Sequence, residues 1–267
     1  MAFPNVQLSR RPLHFIYLCD CSGSMSANGK MQSLNQAIRQ SLPEMVQVSQ
    51  QNPEAQILVR VLSFSDRAQW HVASPTPVDQ MLSQWSDLQA RGLTAMGGAM
   101  CELAAVLRTP PMDQRALPPV LVLISDGAPT DDFSNGLRTL MAEPWAAKAV
   151  RLAIAIGHDA DLEPLQQFIG PESGGGTASD GDRMPAGRGP DGDRMPGAPS
   201  GRSGRRPLQA NDSNTLARYI QWASTAVVGA ASMPRSQPGG GIPDTNVALP
   251  DLPPTLLDPA DASQVVW

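Results

Sequence analysis

The sequence predicts an open, mostly parallel α/β sheet with helices on both faces. Four strongly apolar runs of strand length, at 13–19, 56–65, 119–125 and 149–156, alternate with segments whose apolar residues recur at helical spacing. Runs that are apolar along their whole length are typical of parallel strands covered on both faces. The sequence therefore indicates a doubly wound, Rossmann-like fold.

The first half of the pattern contains two central strands, one helix and an edge strand. Residues 13–19 predict a buried strand, and residues 30–51 predict an amphipathic helix that Pro43 should kink or split. A second buried strand is expected at 56–65. The short segment 69–73 predicts its antiparallel neighbour at the edge of the sheet.

The second half repeats the alternation of helix and strand. Met96, Met100, Leu103 and Leu107 recur at helical spacing, and this helix should end before Pro110. We predict strands at 119–125 and 149–156, a short helix at 161–169 and a last helix whose inward face carries Leu216, Tyr219, Ile220, Ala223 and Val227.

The chain divides into one folded unit and polar additions. We predict an N-terminal segment at 1–12, a domain at 13–230, a disordered insertion within it at 171–209 and a disordered tail at 231–267, because Gly and Pro are concentrated beyond residue 170. The insertion contains Asp-Gly-Asp-Arg-Met-Pro twice, which we interpret as a solvated linker rather than calcium-binding turns. The tail ends in Val-Val-Trp, either a frayed terminus or a docking peptide.

Charge and cysteine content limit the class of protein. A net charge of −5 gives no electrostatic reason to expect nucleic acid or an acidic membrane as partner. No apolar run reaches the roughly 18 residues of a membrane span, and the N-terminus lacks the apolar core of a signal peptide. Cys19, Cys21 and Cys101 are an odd number in positions that look buried, which favours a reducing compartment. We therefore expect a cytoplasmic protein.

Three polar motifs follow or border the predicted strands. Asp-Cys-Ser-Gly-Ser at 20–24 comes directly after the first strand, and Ser-Asp-Gly at 125–127 ends the third. Gly-Leu-Thr at 92–94 leads into a helix. Because ligands bind outside the carboxyl ends of parallel strands, all three motifs should meet at one edge of the sheet.

Together these motifs resemble the metal-ion-dependent adhesion site of the von Willebrand factor A (VWA) family. There, an Asp-x-Ser-x-Ser loop, a Thr and an Asp surround one cation. The resemblance implies a VWA fold and Mg²⁺, with Mn²⁺ or Ca²⁺ as alternatives, which hydroxyl and carboxylate oxygens suit. The implied site consists of Asp20, Ser22, Ser24, Thr94 and Asp126.

In the family, the serines and often the threonine coordinate directly, whereas the aspartates act largely through water. The resemblance therefore implies an ion with mostly neutral direct ligands, which attracts an Asp or Glu of a partner into its vacant position. Two departures from the family pattern matter. Leu93 stands where a glycine is usual, so the Thr94 loop should be less free to move, and the insertion should displace the last strand into 207–210.

Within the family, the chain looks most similar to the bacterial tellurium-resistance TerY type. The similarity lies in Arg-Pro-Leu at 11–13, Asp-x-Ser-Gly-Ser-Met at 20–25 and Asp-Gly-x-Pro-Thr-Asp-Asp at 126–132. Such proteins are small and intracellular, and occur with protein kinases and PP2C-like phosphatases in stress or defence gene clusters. The resemblance implies a protein-binding adaptor, with a partner subunit of a MoxR-type AAA+ ATPase as the alternative.

Other functions have weaker support in the residues. A Mg²⁺-dependent phosphatase of the haloacid-dehalogenase type needs Asp-x-Asp, but Ser22 occupies the second position, so we expect no enzyme. Three cysteines without nearby histidines fall short of a zinc site. Asp131 and Asp132 either cap the helix beginning near Phe133 or contribute to a partner-binding surface.

Overall fold

In a computed structural model, which describes residues 10–170, 206–232, 250 and 252, the chain forms a six-stranded sheet. The strand order is β3-β2-β1-β4-β5-β6, and every neighbouring pair is parallel except β2 and β3. The predicted fold class is thereby confirmed. The strands are β1 (Arg11–Asp20), β2 (Ala55–Phe64), β3 (Ala68–Pro77), β4 (Val120–Ser125), β5 (Val150–Ile156) and β6 (Leu208–Ala210).

Helices cover both faces of the sheet. They are α1 (Lys30–Gln51), α2 (Val78–Gln84), α3 (Met96–Val106), α4 (Phe133–Met141), α5 (Pro144–Lys148), α6 (Leu162–Ile169), α7 (Ser213–Trp222) and α8 (Val228–Ser232). A 3₁₀ segment at Gly23–Gly29 precedes α1, and a π-helical turn at Ala223–Val227 joins α7 to α8.

The apolar strands form two cores, one on each face. Phe15 and Tyr17 of β1 pack into the core beneath α1 and α7, whereas Ile16 and Leu18 pack into the core beneath α3 and α6. All four side chains are at most 1% exposed. Since consecutive residues of a strand point to opposite faces, double coverage explains why β1 is apolar at nearly every position.

Most predicted elements occur within a few residues of their expected bounds. Helix α1 passes through Pro43 unbroken, because the proline lies on the exposed side of the helix, where water can satisfy the carbonyl group that it leaves unbonded. Helices α2 and α5 were not predicted. The predicted burial of Cys101 was wrong, since it is exposed on α3.

Strand β6 forms at Leu208–Ala210 and pairs in parallel with β5, as expected for a last strand displaced by the insertion. The rest of the predicted insertion up to residue 205, both repeated hexapeptides, the N-terminal residues 1–9 and nearly all of the predicted tail lie outside the described residues. In the part of the chain that is described, no helix has the length and apolar character needed to cross a membrane.

His14 makes stability depend on pH from within the sheet. Its side chain is buried, and this burial, together with the charge of Arg60, lowers its pKa from 6.5 to about 4. Below pH 6.5 the unfolded chain therefore binds a proton at His14, whereas the folded chain binds this proton only near pH 4. We expect the free energy of unfolding to fall by about 3 kcal/mol between these pH values because of this residue.

Urea unfolding of the wild type and of His14→Gln at pH 7, 5.5 and 4.5 measures this effect. The difference in unfolding free energy between the two proteins should shift towards the variant as the pH falls. Plots of unfolding free energy against pH that stay parallel for the two proteins over this range would contradict a buried, neutral His14.

Candidate metal centre

The predicted site lies where the direction of the sheet's strand order reverses. From β1 the chain proceeds outward through β2 and β3, then returns to the other side of β1 to add β4, β5 and β6. Asp20 ends β1, and Asp126 directly follows β4, its parallel neighbour. The diverging connections leave a crevice at the carboxyl ends of these two strands, where open α/β sheets bind ligands.

A continuous series of oxygen atoms joins the motif at 20–24 to the motif at 125–127. The hydroxyls of Ser22 and Ser24 lie 2.9 Å apart, and Ser24 Oγ donates to Asp126 Oδ1 at 2.7 Å. Metal–oxygen bonds of about 2.1 Å at right angles place neighbouring ligands about 3.0 Å apart. The spacing of these three oxygens therefore suits adjacent positions around one small cation.

Hydrogen bonds from the protein hold the carboxylate of Asp20 in place beside this series of oxygens. Its Oδ1 accepts a hydrogen bond from the backbone N–H of Ser22, and its Oδ2 accepts one from the hydroxyl of Ser125. The residue is fully buried, and this burial raises its pKa, with the neighbouring charge of Asp126 acting in the same direction. We find no ion pair to Asp20 among residues 10–170 and 206–232, so a bound cation would stabilise its charged form.

Thr94 faces the same crevice. An added Cβ on Gly127 would lie 4.0 Å from both Thr94 Oγ1 and Ser24 Oγ, so both hydroxyls border the space beside this glycine. Leu93 does not displace the threonine: its side chain is 60% exposed, and its N–H donates to Asp66. The structure thus places all five predicted site residues at one edge of the sheet.

Backbone hydrogen bonds tie the three loops together. Gly23 N–H donates to Gly92 O at 2.9 Å, and Thr130 N–H donates to Thr94 O at the same distance. Thr94 N–H in turn donates to the hydroxyl of Thr130. Gly92 itself has φ +72°, a conformation that favours glycine. These contacts hold the hydroxyls in place before any ligand binds, which lowers the entropic cost of binding.

Sequence reasoning missed Lys30, the first residue of α1. Its Nζ lies 2.9 Å from Asp126 Oδ2, with the Lys30 side chain only 5% exposed. Ser125 and Thr130 were also missed as partners of Asp20 and Thr94. Their positions beside Asp126 in the Ser-Asp-Gly-x-Pro-Thr stretch were the available signal, whereas nothing in the spacing of Lys30 indicates its contact.

Asp131 and Asp132 act as caps of two different helices. The carboxylate of Asp131 accepts from the N–H groups of Gly97 and Gly98 at the start of α3, both at 2.8 Å. Asp132 accepts from Asn135 N–H and caps α4. The capping interpretation is therefore confirmed for α4 and extends to α3, while a role for either carboxylate in partner binding stays a prediction.

The donor set decides which ligand fits. Among the described residues, no three His, Cys, Asp or Glu side chains are grouped to hold a metal, so the site depends on its hydroxyls. Burial, followed by the charge of Asp20, raises the pKa of Cys21 to about 12, so this thiol is not a ready soft ligand. Two carboxylates and three hydroxyls are hard oxygen donors, and they fit a hard divalent cation.

Comparison with known proteins agrees with the architecture. Residues 15–128 match the model of the von Willebrand factor type A domain. No curated protein sequence matches the chain. Among solved structures, a von Willebrand factor type A protein from Catenulispora acidiphila superimposes with a TM-score of 0.53 at 15% identity, over 82% of this chain and 42% of that one.

Proximal thread matrix protein 1 from the mussel byssus gives a TM-score of 0.53 at 13% identity, over 81% of this chain and 48% of that one. A structure of the same mussel protein described as having a zinc-occupied MIDAS motif matches at 0.48 and 14% identity, over 61% of this chain and 42% of that one. The chain thus matches less than half the length of each of these proteins. At such identities the similarity establishes the fold, a VWA-like α/β fold.

Proposed function

We propose that this VWA domain binds Mg²⁺ at the edge of its sheet and uses the ion to capture an aspartate or glutamate of a protein partner. The observation that carries the proposal is the series of oxygens from Ser22 through Ser24 to Asp126, beside the buried carboxylate of Asp20. Thr94 completes the set, and Mn²⁺ or Ca²⁺ are the alternative ions. VWA domains commonly act as protein-interaction modules.

The contacts of Asp20 support a division of labour among the ligands. Both of its oxygens already accept hydrogen bonds from protein groups, so we assign it to outer contacts made through water. The hydroxyls of Ser22, Ser24 and Thr94 are the neutral direct ligands, and Asp126 contributes only Oδ1, the last oxygen of the series. Neutral ligands leave most of the ion's charge available, which is the chemistry that attracts an external carboxylate.

Residue chemistry favours binding over turnover. A phosphatase of the Asp-x-Asp type would need a proton-transferring carboxylate at position 22, where this chain has a serine hydrogen-bonded to Ser24. A serine hydroxyl does not ionise near neutral pH, so it cannot replace the carboxyl group as general acid and base. We therefore propose an interaction module rather than an enzyme.

The finer biological role rests on the sequence motifs. We propose an intracellular adaptor in a stress-response or defence system of the tellurium-resistance type, with a protein kinase or PP2C-like phosphatase as partner. The motifs at 11–13, 20–25 and 126–132 support it. A ring-forming AAA+ ATPase is the alternative partner, and the identity of the captured protein separates the two.

Calorimetric titration of EDTA-treated protein with Mg²⁺ tests the metal site. Ser24→Ala should weaken Mg²⁺ binding about tenfold or more, because it removes a hydroxyl from the middle of the oxygen series. Ser26→Ala is the matched control, since Ser26 lies in the same loop but its hydroxyl donates to Gly23 O on the exposed side. Equal Mg²⁺ affinity in wild type and Ser24→Ala would contradict the proposed ligand set.

Affinity capture with the wild-type chain, in Mg²⁺ and in EDTA, tests the partner. Proteins retained in Mg²⁺, released by EDTA and lost with Ser24→Ala are candidates for the metal-bridged complex. Replacing acidic residues of such a partner one at a time should abolish its capture at one position. Capture that persists in EDTA would show that the metal does not bridge the two proteins.

A further inference from the structure

Lys30 is built into the metal centre as a resident positive charge. Its Nζ contacts Asp126 Oδ2 at 2.9 Å, and the two side chains are 5% and 0% exposed. Two consecutive residues in the left-handed region, Asn28 at φ 52° and Gly29 at φ 77°, turn the chain so that α1 begins with the lysine at the crevice. Because burying a charge is costly, its placement here calls for a function.

Gly157 and Asp159 are the other neighbours of the Lys30 ammonium. An added Cβ on Gly157, at the end of β5, would lie 3.2 Å from Lys30 Nζ, and the glycine's φ of +92° is itself in the left-handed region. Asp159 lies 3.7 Å from Nζ on the solvent side, but its side chain is 83% exposed. Water therefore screens Asp159, and Asp126 is the dominant partner.

The two oxygens of the Asp126 carboxylate have different partners. Lys30 takes Oδ2, while Oδ1 accepts from Ser24 and belongs to the oxygen series. Asp126 can therefore offer one oxygen to an ion and stays oriented without one. With Asp20 and Asp126 charged, the ammonium leaves the centre with one net negative charge rather than two, and with one net positive charge once a divalent ion binds.

On the basis of the function proposed above, we propose that Lys30 shifts the affinity of this centre from the metal ion alone towards the carboxylate of the partner. It weakens the attraction of the centre for a cation alone, and it leaves the loaded centre positive so that an anionic side chain is needed to neutralise it. The Lys30 charge therefore lowers the affinity for the ion alone and raises the affinity of the loaded centre for the partner's carboxylate. Lys30 thus acts as a specificity-determining residue that contacts neither the ion nor the partner.

Replacing Lys30 by methionine should raise the affinity for the metal ion and lower the affinity of the loaded protein for a carboxylate. We expect the affinity of Lys30→Met for Mn²⁺ alone, measured by calorimetry, to rise about tenfold or more, as expected for removing a unit charge at close range. Acetate binding to the Mn²⁺-loaded protein should weaken about fivefold or more. It can be followed by water-proton relaxation, which falls as the carboxylate displaces metal-bound water.

Two further variants provide a control and a safeguard. Lys148→Met makes the same substitution at the only other lysine of the sequence, on α5 before the amino end of β5, and should leave both affinities unchanged. Lys30→Gln keeps a hydrogen-bond donor for Asp126 without the charge, and it should reproduce the Lys30→Met result if that variant folds poorly. Folding of either Lys30 variant only in the presence of Mn²⁺ is the extreme form of the same outcome.

The possible failures point to different errors. If the wild type binds no Mn²⁺ or Mg²⁺, the proposed function is wrong. If the wild type binds metal but the Lys30 variants bind it equally or more weakly, the metal site stands and the proposed role of Lys30 is overturned. Unchanged acetate binding in variants with tighter Mn²⁺ binding would likewise overturn this role of Lys30.

Discussion

Asp20→Asn is expected to stabilise the metal-free protein and to abolish its stabilisation by Mg²⁺. The asparagine can keep both hydrogen bonds, accepting from Ser22 N–H and donating to Ser125 Oγ once that hydroxyl rotates. It removes a buried negative charge whose pKa is raised by burial and by Asp126. We expect a gain of about 1–2 kcal/mol in EDTA, which raises Tm by about 2–8 °C for a domain of this size.

The same substitution should remove the response to metal. With Mg²⁺ bound as proposed, at a concentration about 100 times its Kd, the wild type should gain about 2.7 kcal/mol, equivalent to a rise in Tm of about 5–10 °C. Asp20→Asn lacks the charge that attracts the ion, so its Tm should change by less than about 2 °C on adding Mg²⁺. Scanning calorimetry of both proteins in EDTA and in Mg²⁺ measures both effects.

Asp126→Asn is the matched comparison, because it makes the same chemical change in the neighbouring carboxylate. Here the charge removed is the one that neutralises buried Lys30. Loss of one partner of a buried ion pair costs about 3–5 kcal/mol, so this variant should be less stable than the wild type in EDTA. If both variants move Tm in the same direction without metal, the assignment of Lys30 to Asp126 alone would be wrong.

The sequence predicted where most of the candidate oxygen donors meet, because all of them except Thr94 lie in short motifs at the end of an apolar strand. Asp20, Ser22 and Ser24 lie in one loop, and Asp126 directly follows β4, so the parallel sheet alone brings them to one edge. Lys30 was not predictable in this way. Its contact with Asp126 depends on the left-handed turn at Asn28 and Gly29, a tertiary consequence that no periodicity in the sequence records.

The close packing of α3 against α4 was also invisible in the sequence. The sequence has Gly-Gly at 97–98 and a lone glycine at 136, which by themselves weaken helices. In the structure, an added Cβ on Gly97 would lie 2.5 Å from Asp132 O, and one on Gly136 would collide with Gly97 O. These two glycines let the helix backbones touch, and their packing keeps Asp131 within reach of the start of α3.

Gly97→Ala is therefore expected to destabilise the protein by about 2–4 kcal/mol, since the methyl group meets backbone atoms that cannot rotate away. Gly98→Ala, one residue along the same helix, should be neutral or stabilising by up to about 1 kcal/mol, because its Cβ would lie 3.6 Å from Asp131 Oδ2 and alanine favours helix. Urea unfolding of the two variants beside the wild type gives both free energies.

The variants at Gly97 and Gly98 should also differ in Mg²⁺ binding at the candidate metal centre. Thr94 and Thr130 flank the α3–α4 contact and hydrogen-bond each other through N–H, carbonyl and hydroxyl groups. A shift of α3 relative to α4 in Gly97→Ala should therefore displace the Thr94 hydroxyl and weaken Mg²⁺ binding in whatever protein remains folded. Gly98→Ala should bind Mg²⁺ as the wild type does. Equal losses of stability in the two variants would mean that the close approach of the backbones at Gly97 does not explain the requirement for glycine.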